Sequence, residues 1–373
     1  MEWRFEMQLN NAFTFYAQTL PGLEQIAWRE IRHTSPTARL LGFRRYRREN
    51  GLVLFEYRDD PARLLRLRTA EDVFYLADHA STVTPDRAGL QSLSQRMVQS
   101  RFFDVGLQIH RQGRRGRRRG RTRFRVVSRM QGRGPAYRRA ALRRAVEQGV
   151  LNRYNRKWRR VEDAADLEIW ATLLEREFLC GIRLSDRTMR HRSYKRAHSP
   201  ASLRPTVAAA MVWLSQPQPD DVFVDPMCGA GTILAERALM GPYRRIVGGD
   251  LDGNAVATGR ANVGPLADDI ELRQWDAEAL PLPDGSVDKA VVNLPFGQRH
   301  GSHRHNRSLY RRVFAEIRRV LRPAGRLVTL TGEQRLVAQI VAAEPGLVLR
   351  MTWKLSLLGT PASIYVIDKR AAR

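Results

Sequence analysis

The run Val291-Val292-Asn293-Leu294-Pro295-Phe296-Gly297 takes an apolar, β-branched stretch to a carboxamide, a carbonyl just ahead of a proline, and an aromatic ring. Stretches of that kind are buried strands, and in a parallel α/β sheet ligands bind beyond the carboxyl ends of the strands. The Asn293 carboxamide oxygen and the Leu294 carbonyl can each accept one hydrogen of an exocyclic amino group, while the Phe296 ring stacks on the base that bears it. This is equipment for holding a nucleobase turned out of its helix. Asn, Pro and Gly are also ordinary turn residues. Taken alone, the motif fits a strand-ending turn equally well.

A second motif shifts the balance. Val222-Phe223-Val224-Asp225-Pro226-Met227-Cys228-Gly229-Ala230-Gly231-Thr232 reads as a strand, a glycine-rich turn and the start of a helix. Gly229 and Gly231 let a ligand approach the backbone closely. A dinucleotide fingerprint would place a third glycine at 234, where Leu234 stands. Asp225 would also repel a pyrophosphate; a ligand with a cationic amino group suits it better. Asp250 ends the next strand and can accept from ribose hydroxyls. Asp276, in Gln274-Trp275-Asp276-Ala277, follows the third strand and can accept from an adenine amino group. Any one of these acids is more often a surface carboxylate or a helix cap. The information lies in the ordered set, with Asn293 at the fourth strand end.

The elements that must position these residues alternate. A helix is expected over 203–214, then strand 222–225, helix 232–239, strand 246–250, helix 253–262, a strand near Ile270, strand 287–293, helix 309–321 and strand 326–330. Alternation of this kind implies a mostly parallel sheet with helices on both faces. Pro323-Ala324-Gly325 reads as a turn, and Leu357 to Asp368 as the sheet edge. Upstream, residues 13–77 read β-α-β-β-α-β, a ferredoxin-like unit with a hairpin turn at Glu49-Asn50-Gly51. Helices over 87–99 and 137–154, a strand at 124–128, and strands over 165–173 and 177–184 follow. Arg187 to Ser199 reads as a basic linker, in which Tyr194 either contacts RNA or packs at a domain boundary.

Charge separates these regions. Net charge is +26. Residues 101–200 hold 28 basic and 9 acidic side chains, net +19, against +2 before them and +5 after. A field of one sign so concentrated attracts polyanions. Within it, Arg111 to Arg123 is a basic loop broken by Gly113, Gly116 and Gly120, suited to phosphates rather than base edges. Arg138, Arg139, Arg143 and Arg144 crowd part of the helix that follows. Two cysteines, Cys180 and Cys228, suggest neither a disulfide framework nor a zinc site. No apolar run is long enough for a bilayer, and the first residues lack a signal-peptide pattern, so a cytoplasmic protein is expected. His300, His303 and His305 lie in an expected loop over 298–306. Their arginine-rich surroundings favour a lid or RNA contact over a metal, and no metal is expected.

Phe124–Val150 followed by Leu167–Leu184 resembles the THUMP domain, an RNA-binding module of tRNA-modifying enzymes. DPMCGAGT, GGDLDGNAV, WDA and NLPFG together resemble the class I S-adenosylmethionine-dependent RNA guanine-N2 methyltransferases that carry such a domain. The group making N2-methylguanosine at position 6 of tRNA is the most similar. Members often have Asp where Asn293 stands, so Asn293 departs toward the wider amino-methyltransferase pattern. The resemblance implies a mixed α/β and α+β multidomain chain: ferredoxin-like domain 1–86, THUMP domain 87–186, linker 187–202, and Rossmann-like methyltransferase domain 203–373. It implies that S-adenosylmethionine is held by Asp225, Pro226, Cys228, Gly229, Ala230, Gly231 and Thr232, by Asp250 and Leu251, by Asp276 and Ala277, and by Asn293. Asn293, Leu294, Pro295 and Phe296 would receive a guanine of tRNA. A monomer is expected. The same chemistry at another RNA position, or a non-catalytic RNA-binding scaffold, are the rival readings.

Overall fold

The computed structural model describes residues 13–47, 49–112, 121–132, 137–154, 157–197, 202–267, 269–296, 303–357 and 359–371. Two compact units divide the chain. One comprises the segment up to Thr19 with Ala27–Met189, the other Leu20–Ile26 with Arg190 onward. No described helix is long and apolar enough to cross a membrane.

The first unit opens with β1 (Phe13–Thr19), α1 (Glu24–Thr34), β2 (Arg39–Tyr46), β3 (Asn50–Tyr57), a 3-10 segment at Pro61–Arg66 and β4 (Asp72–Ala80). β1 lies antiparallel between β3 and β4, and β2 flanks β3. That is the strand order and sense of a ferredoxin-like unit. The hairpin turn falls earlier than its Asn-Gly signal: Asn50 and Gly51 already pair with Tyr46 and Arg45, and Arg47 takes φ 50°. Burial of Leu52 and Val53 pins the register, and register outranks turn propensity.

Next come α2 (Arg87–Gln99), α3 (Arg101–Gln112), β5 (Arg123–Gln131), α4 (Arg139–Arg153), β6 (Arg159–Arg160), β7 (Leu167–Leu174), β8 (Glu177–Arg183) and α5 (Thr188–His191). β8 pairs with β4, so strands from both sides of residue 86 share one eight-stranded sheet, β2-β3-β1-β4-β8-β7-β5-β6. Sequence reasoning missed α3. A glycine inside it, Gly106, weakens the helical signal, yet a Cβ there would come 2.5 Å from the Tyr75 ring. Close helix–sheet approach requires the glycine. The basic loop keeps Arg111 and Gln112 in α3 and Arg123 in β5; residues 113–120 lie outside the described set.

The second unit contains α6 (Pro205–Ser215), β9 (Val222–Asp225), α7 (Thr232–Ala238), β10 (Arg245–Asp250), α8 (Gly253–Val263), β11 (Ile270–Gln274), β12 (Val287–Asn293), α9 (His303–Val320), β13 (Leu321–Thr331), α10 (Gln334–Ala343), β14 (Leu347–Leu357) and β15 (Thr360–Lys369). The sheet runs β11-β10-β9-β12-β13-β15-β14. Its first five strands are parallel and the last two pairings antiparallel. One apolar cluster takes α6, α7 and α8, and another takes α9 and α10, so both faces are covered.

Pro323-Ala324-Gly325 is an irregularity inside β13, with Ala324 at φ 62°, rather than a turn between elements. α10 and β14 went unread, and β14, not β15, is the edge strand. α9 begins at His303, so His303 and His305 are helical rather than in a loop; His300 lies outside the described residues. Tyr194 is 4% exposed and donates to Glu236 at 2.6 Å. It packs within the second unit, as does Arg192, paired with the same carboxylate at 3.1 Å.

Candidate active site

β9 is where the chain reverses direction across the sheet: β10 and β11 extend to one side of it, β12 and β13 to the other. Register places Asp225 opposite Gly248 of β10, and Val224 opposite Ala290 of β12. Asp225, Asp250 and Asn293 therefore end neighbouring parallel strands at one carboxyl edge, and Asp276 lies two residues past the end of β11. The crevice at such a switch point is where open α/β sheets bind ligands.

The turn after β9 is held by its own backbone and by its neighbours. The Cys228 amide donates to the Gly249 carbonyl and the Gly231 amide to the Cys228 carbonyl, both at 2.8 Å. The Gly229 amide donates to Asp250 Oδ2 at 2.9 Å. Gly229 and Gly231 have φ of 50° and 74°, backbone conformations that disfavour a side chain. Their surroundings differ. A Cβ at Gly229 would meet nothing within 4 Å, whereas one at Gly231 would meet Val263 at 2.8 Å. Gly229 borders open space, and Gly231 permits helix packing.

Two residues that sequence reasoning did not single out brace this turn. Asn262 donates to the Ala230 carbonyl at 3.0 Å and accepts from the Arg196 and Ala197 amides at 2.9 Å. Trp275 donates its indole N–H to the Pro226 carbonyl at 3.0 Å. A Cβ at Gly249 would lie 2.2 Å from that indole. Gly249→Ala must displace the ring, and a loss of about 1–3 kcal/mol is expected from such overpacking, read as a lowered Tm. An unchanged Tm would contradict this packing account.

Asp225 is 1% exposed. Its Oδ1 accepts from the Met227 amide at 3.2 Å, while Oδ2 is buried without a partner among the described residues. Burial, and secondarily the charge of Asp250, hold its carboxyl well above the usual range, against the Met227 amide. Asn293 is half-buried, and its Oδ1 is likewise enclosed with no donor among the described residues. Buried acceptors are ordinarily satisfied, so two orphans on adjacent strand ends ask for a ligand with hydrogens to give.

The remaining expected residues occupy varied positions. Leu294 is fully buried, its amide on the Leu330 carbonyl at 3.0 Å. The Pro295 carbonyl is taken by Tyr310 and Asn306, leaving the Leu294 carbonyl as the motif's candidate second acceptor. The Phe296 ring is half-buried against Gly332. Asp250 Oδ1 accepts from the Asp252 amide at 3.1 Å. Leu251 is 70% exposed beside it. Asp276 is exposed and accepts from the Glu278 amide at 2.9 Å, next to buried Ala277. Thr232, at the start of α7, stands 3.3 Å from Ser202. Burial pushes the Cys228 thiol up, which leaves it protonated and a poor nucleophile.

Residues 192–352 match a family model, UPF0020, described as an RMKL-like methyltransferase domain. A Bos taurus protein named tRNA (guanine(6)-N(2))-methyltransferase THUMP3 is 32% identical over 228 residues, which are 57% of this chain and 45% of that protein. A Thermus thermophilus protein named tRNA (guanine(6)-N2)-methyltransferase is 30% identical over 197 residues, 52% of this chain and 57% of that one. The chain thus spans only about half the length of these relatives. The crystal structure of TrmN from Thermus thermophilus superposes with TM-score 0.79 over 96% of this chain and 99% of that one, at 23% identity, and shares its fold.

Proposed function

We propose, from the match of residues 192–352 to the UPF0020, RMKL-like methyltransferase model, that the protein methylates the exocyclic N2 of a guanosine in tRNA. The observation that carries this is a pair of buried acceptors, Asp225 Oδ2 and Asn293 Oδ1, that have no donor among the described residues. One suits the ammonium of an amino-acid-bearing donor and the other an aromatic amino group. The relatives' names supply guanine, tRNA and position 6.

The residues present fit S-adenosylmethionine. Asp225 takes its ammonium, and Gly229, whose side is open, admits it against the backbone. Pro226, Cys228, Ala230, Gly231 and Thr232 complete that turn. Asp250 with Leu251 receives the ribose, and Asp276 with Ala277 the adenine amino group. Bound there, the donor supplies a methyl group already activated on a sulfonium. Asn293 Oδ1 and the Leu294 carbonyl accept the two hydrogens of guanine N2, direct its lone pair and stabilise the positive charge that develops on nitrogen. Phe296 stacks on the base, and the proton leaves to water. An acceptor-stem base has to leave its stack to reach them.

RNA is gripped through charge. Many arginines of the first unit are neutralised locally, as in Arg96–Asp78, Arg123–Asp166 and Arg125–Glu168. Arg138, Arg139 and Arg144 at the start of α4 are exposed and, among the described residues, without an acidic partner. Phosphates are the counter-ions they suit.

Donor affinity is expected to rise with pH. Asp225 must be ionised to pair with an ammonium, and in the free protein burial favours its protonated form. Binding then releases a proton and weakens as pH falls through the raised pKa. Calorimetry in two buffers of different ionisation enthalpy reads the release; no proton exchanged and a flat pH profile would remove Asp225 from that role.

The proposal is tested by incubating the protein with methyl-labelled S-adenosylmethionine and, side by side, tRNA, ribosomal RNA, small nuclear RNA and duplex DNA. Label in tRNA is expected. Label confined to another nucleic acid would overturn the substrate, and no label beside active controls would leave an RNA-binding scaffold.

A further inference from the structure

Asn306 and Tyr310 stand four residues apart, on one face of α9, and both are fully buried. They converge on one atom. The Pro295 carbonyl oxygen accepts from the Tyr310 hydroxyl at 2.6 Å and from Asn306 Nδ2 at 3.2 Å, which uses both of its acceptor positions. Behind Tyr310 lies Thr331, at the end of β13, with its hydroxyl 2.6 Å away. The Glu333 amide donates to that Thr331 oxygen at 3.0 Å.

Directions in this chain are fixed by counting protons. A hydroxyl has one to give. Tyr310 gives its proton to Pro295, so Thr331 gives its own to Tyr310 and receives from Glu333. The run from Glu333 through Thr331 and Tyr310 to Pro295 is unidirectional, and each bond polarises the next. Burial pushes the Tyr310 phenol up, so its proton stays in place.

A turn that merely ends a strand does not require two buried donors on one carbonyl. Pro295 separates the Leu294 carbonyl from the Phe296 ring, and its own φ is locked by the pyrrolidine. Holding its carbonyl sets the plane of the peptide that follows, and the Leu294 amide on the Leu330 carbonyl anchors the segment before it, so little freedom is left between them. We propose that Asn306 and Tyr310 are positioning residues for methyl transfer: they clamp the Pro295 carbonyl so that the Leu294 carbonyl and Phe296 ring meet the base together with Asn293. The inference rests on the reading of Asn293 as acceptor of the substrate amino group.

The test uses the full chain with tRNA, comparing the unsubstituted protein with Tyr310→Phe, Asn306→Ala and Thr331→Val. Single-turnover rate, RNA KM, S-adenosylmethionine Kd and Tm are read for each. Tyr310→Phe and Asn306→Ala should each slow transfer about tenfold with KM and Kd held within about twofold, the scale of a reacting group displaced by a fraction of an ångström. Thr331→Val, one bond further away, should lose less than Tyr310→Phe. Should Asn306→Ala fail to fold, Tyr310→Phe, which keeps the ring, decides alone. Full-rate transfer by Tyr310→Phe, or a rate lost only in step with donor binding and Tm, would overturn the clamp while the parent reading stood. No transfer by the unsubstituted protein would defeat the parent reading instead.

Discussion

Replacing Asn293 by alanine is expected to cut single-turnover methyl transfer by roughly ten- to a thousandfold, the range seen when a positioned hydrogen-bonding group is removed from a developing charge. The guanine amino group is a weak nucleophile because its lone pair is delocalised into the ring. It gains reactivity only when both hydrogens are held and the lone pair is aimed. Asn293 Oδ1 is already enclosed and has no donor among the described residues, so none of their hydrogen bonds must break before it accepts one from substrate. Such preorganisation is what gives a polar group leverage in the transition state. Stability should barely change, because the oxygen removed has no partner among the described residues. Asn293→Ala with an unaltered single-turnover rate would end its assigned role.

Asp225→Asn is expected to weaken S-adenosylmethionine binding by about 10- to 150-fold, the equivalent of losing a hydrogen bond to a charged group. The same change should leave Tm unaltered or raise it at neutral pH. The sign follows from linkage. An acid whose folded pKa is raised adds nothing to stability while both states are protonated. As pH climbs above the unfolded value it costs stability, and the cost levels off above the folded pKa. Asparagine keeps an oxygen for the Met227 amide and removes the buried charge. Binding lost while stability is kept is the signature of a ligand site. If Tm and binding fall together, Asp225 is supporting the fold rather than receiving the donor.

What the sequence disclosed was mostly contiguous. A strand, a glycine turn and a helix start follow one another at Val222–Thr232, so Asp225, Gly229 and Gly231 could be read from local pattern. The same holds for Val291–Phe296, where strand end and acceptors are adjacent. Alternating elements then gave the parallel sheet, and the sheet implied that the acids share an edge. The braces of the site were not legible, because each joins residues distant in sequence. Asn262 reaches back 32 residues to Ala230, and Trp275 reaches 49 to Pro226. Tyr310 meets the Pro295 carbonyl only because α9 folds over the end of β12. In α3 the glycine that hides the helix is the residue its packing demands. Tyr194 illustrates the limit: its neighbours in sequence are basic, yet a buried carboxylate on α7 decides its place.

The most direct measurement is nucleoside analysis of tRNA after single-turnover reaction with isotopically labelled S-adenosylmethionine, by digestion and mass spectrometry with the labelled position mapped. The account predicts that the label appears as N2-methylguanosine, at position 6, with none at ring nitrogens, ribose or adenine. Label at N1 of guanine, on a ribose hydroxyl or on adenine would contradict it, since the Asn293 and Leu294 acceptors are assigned to the two hydrogens of a guanine amino group.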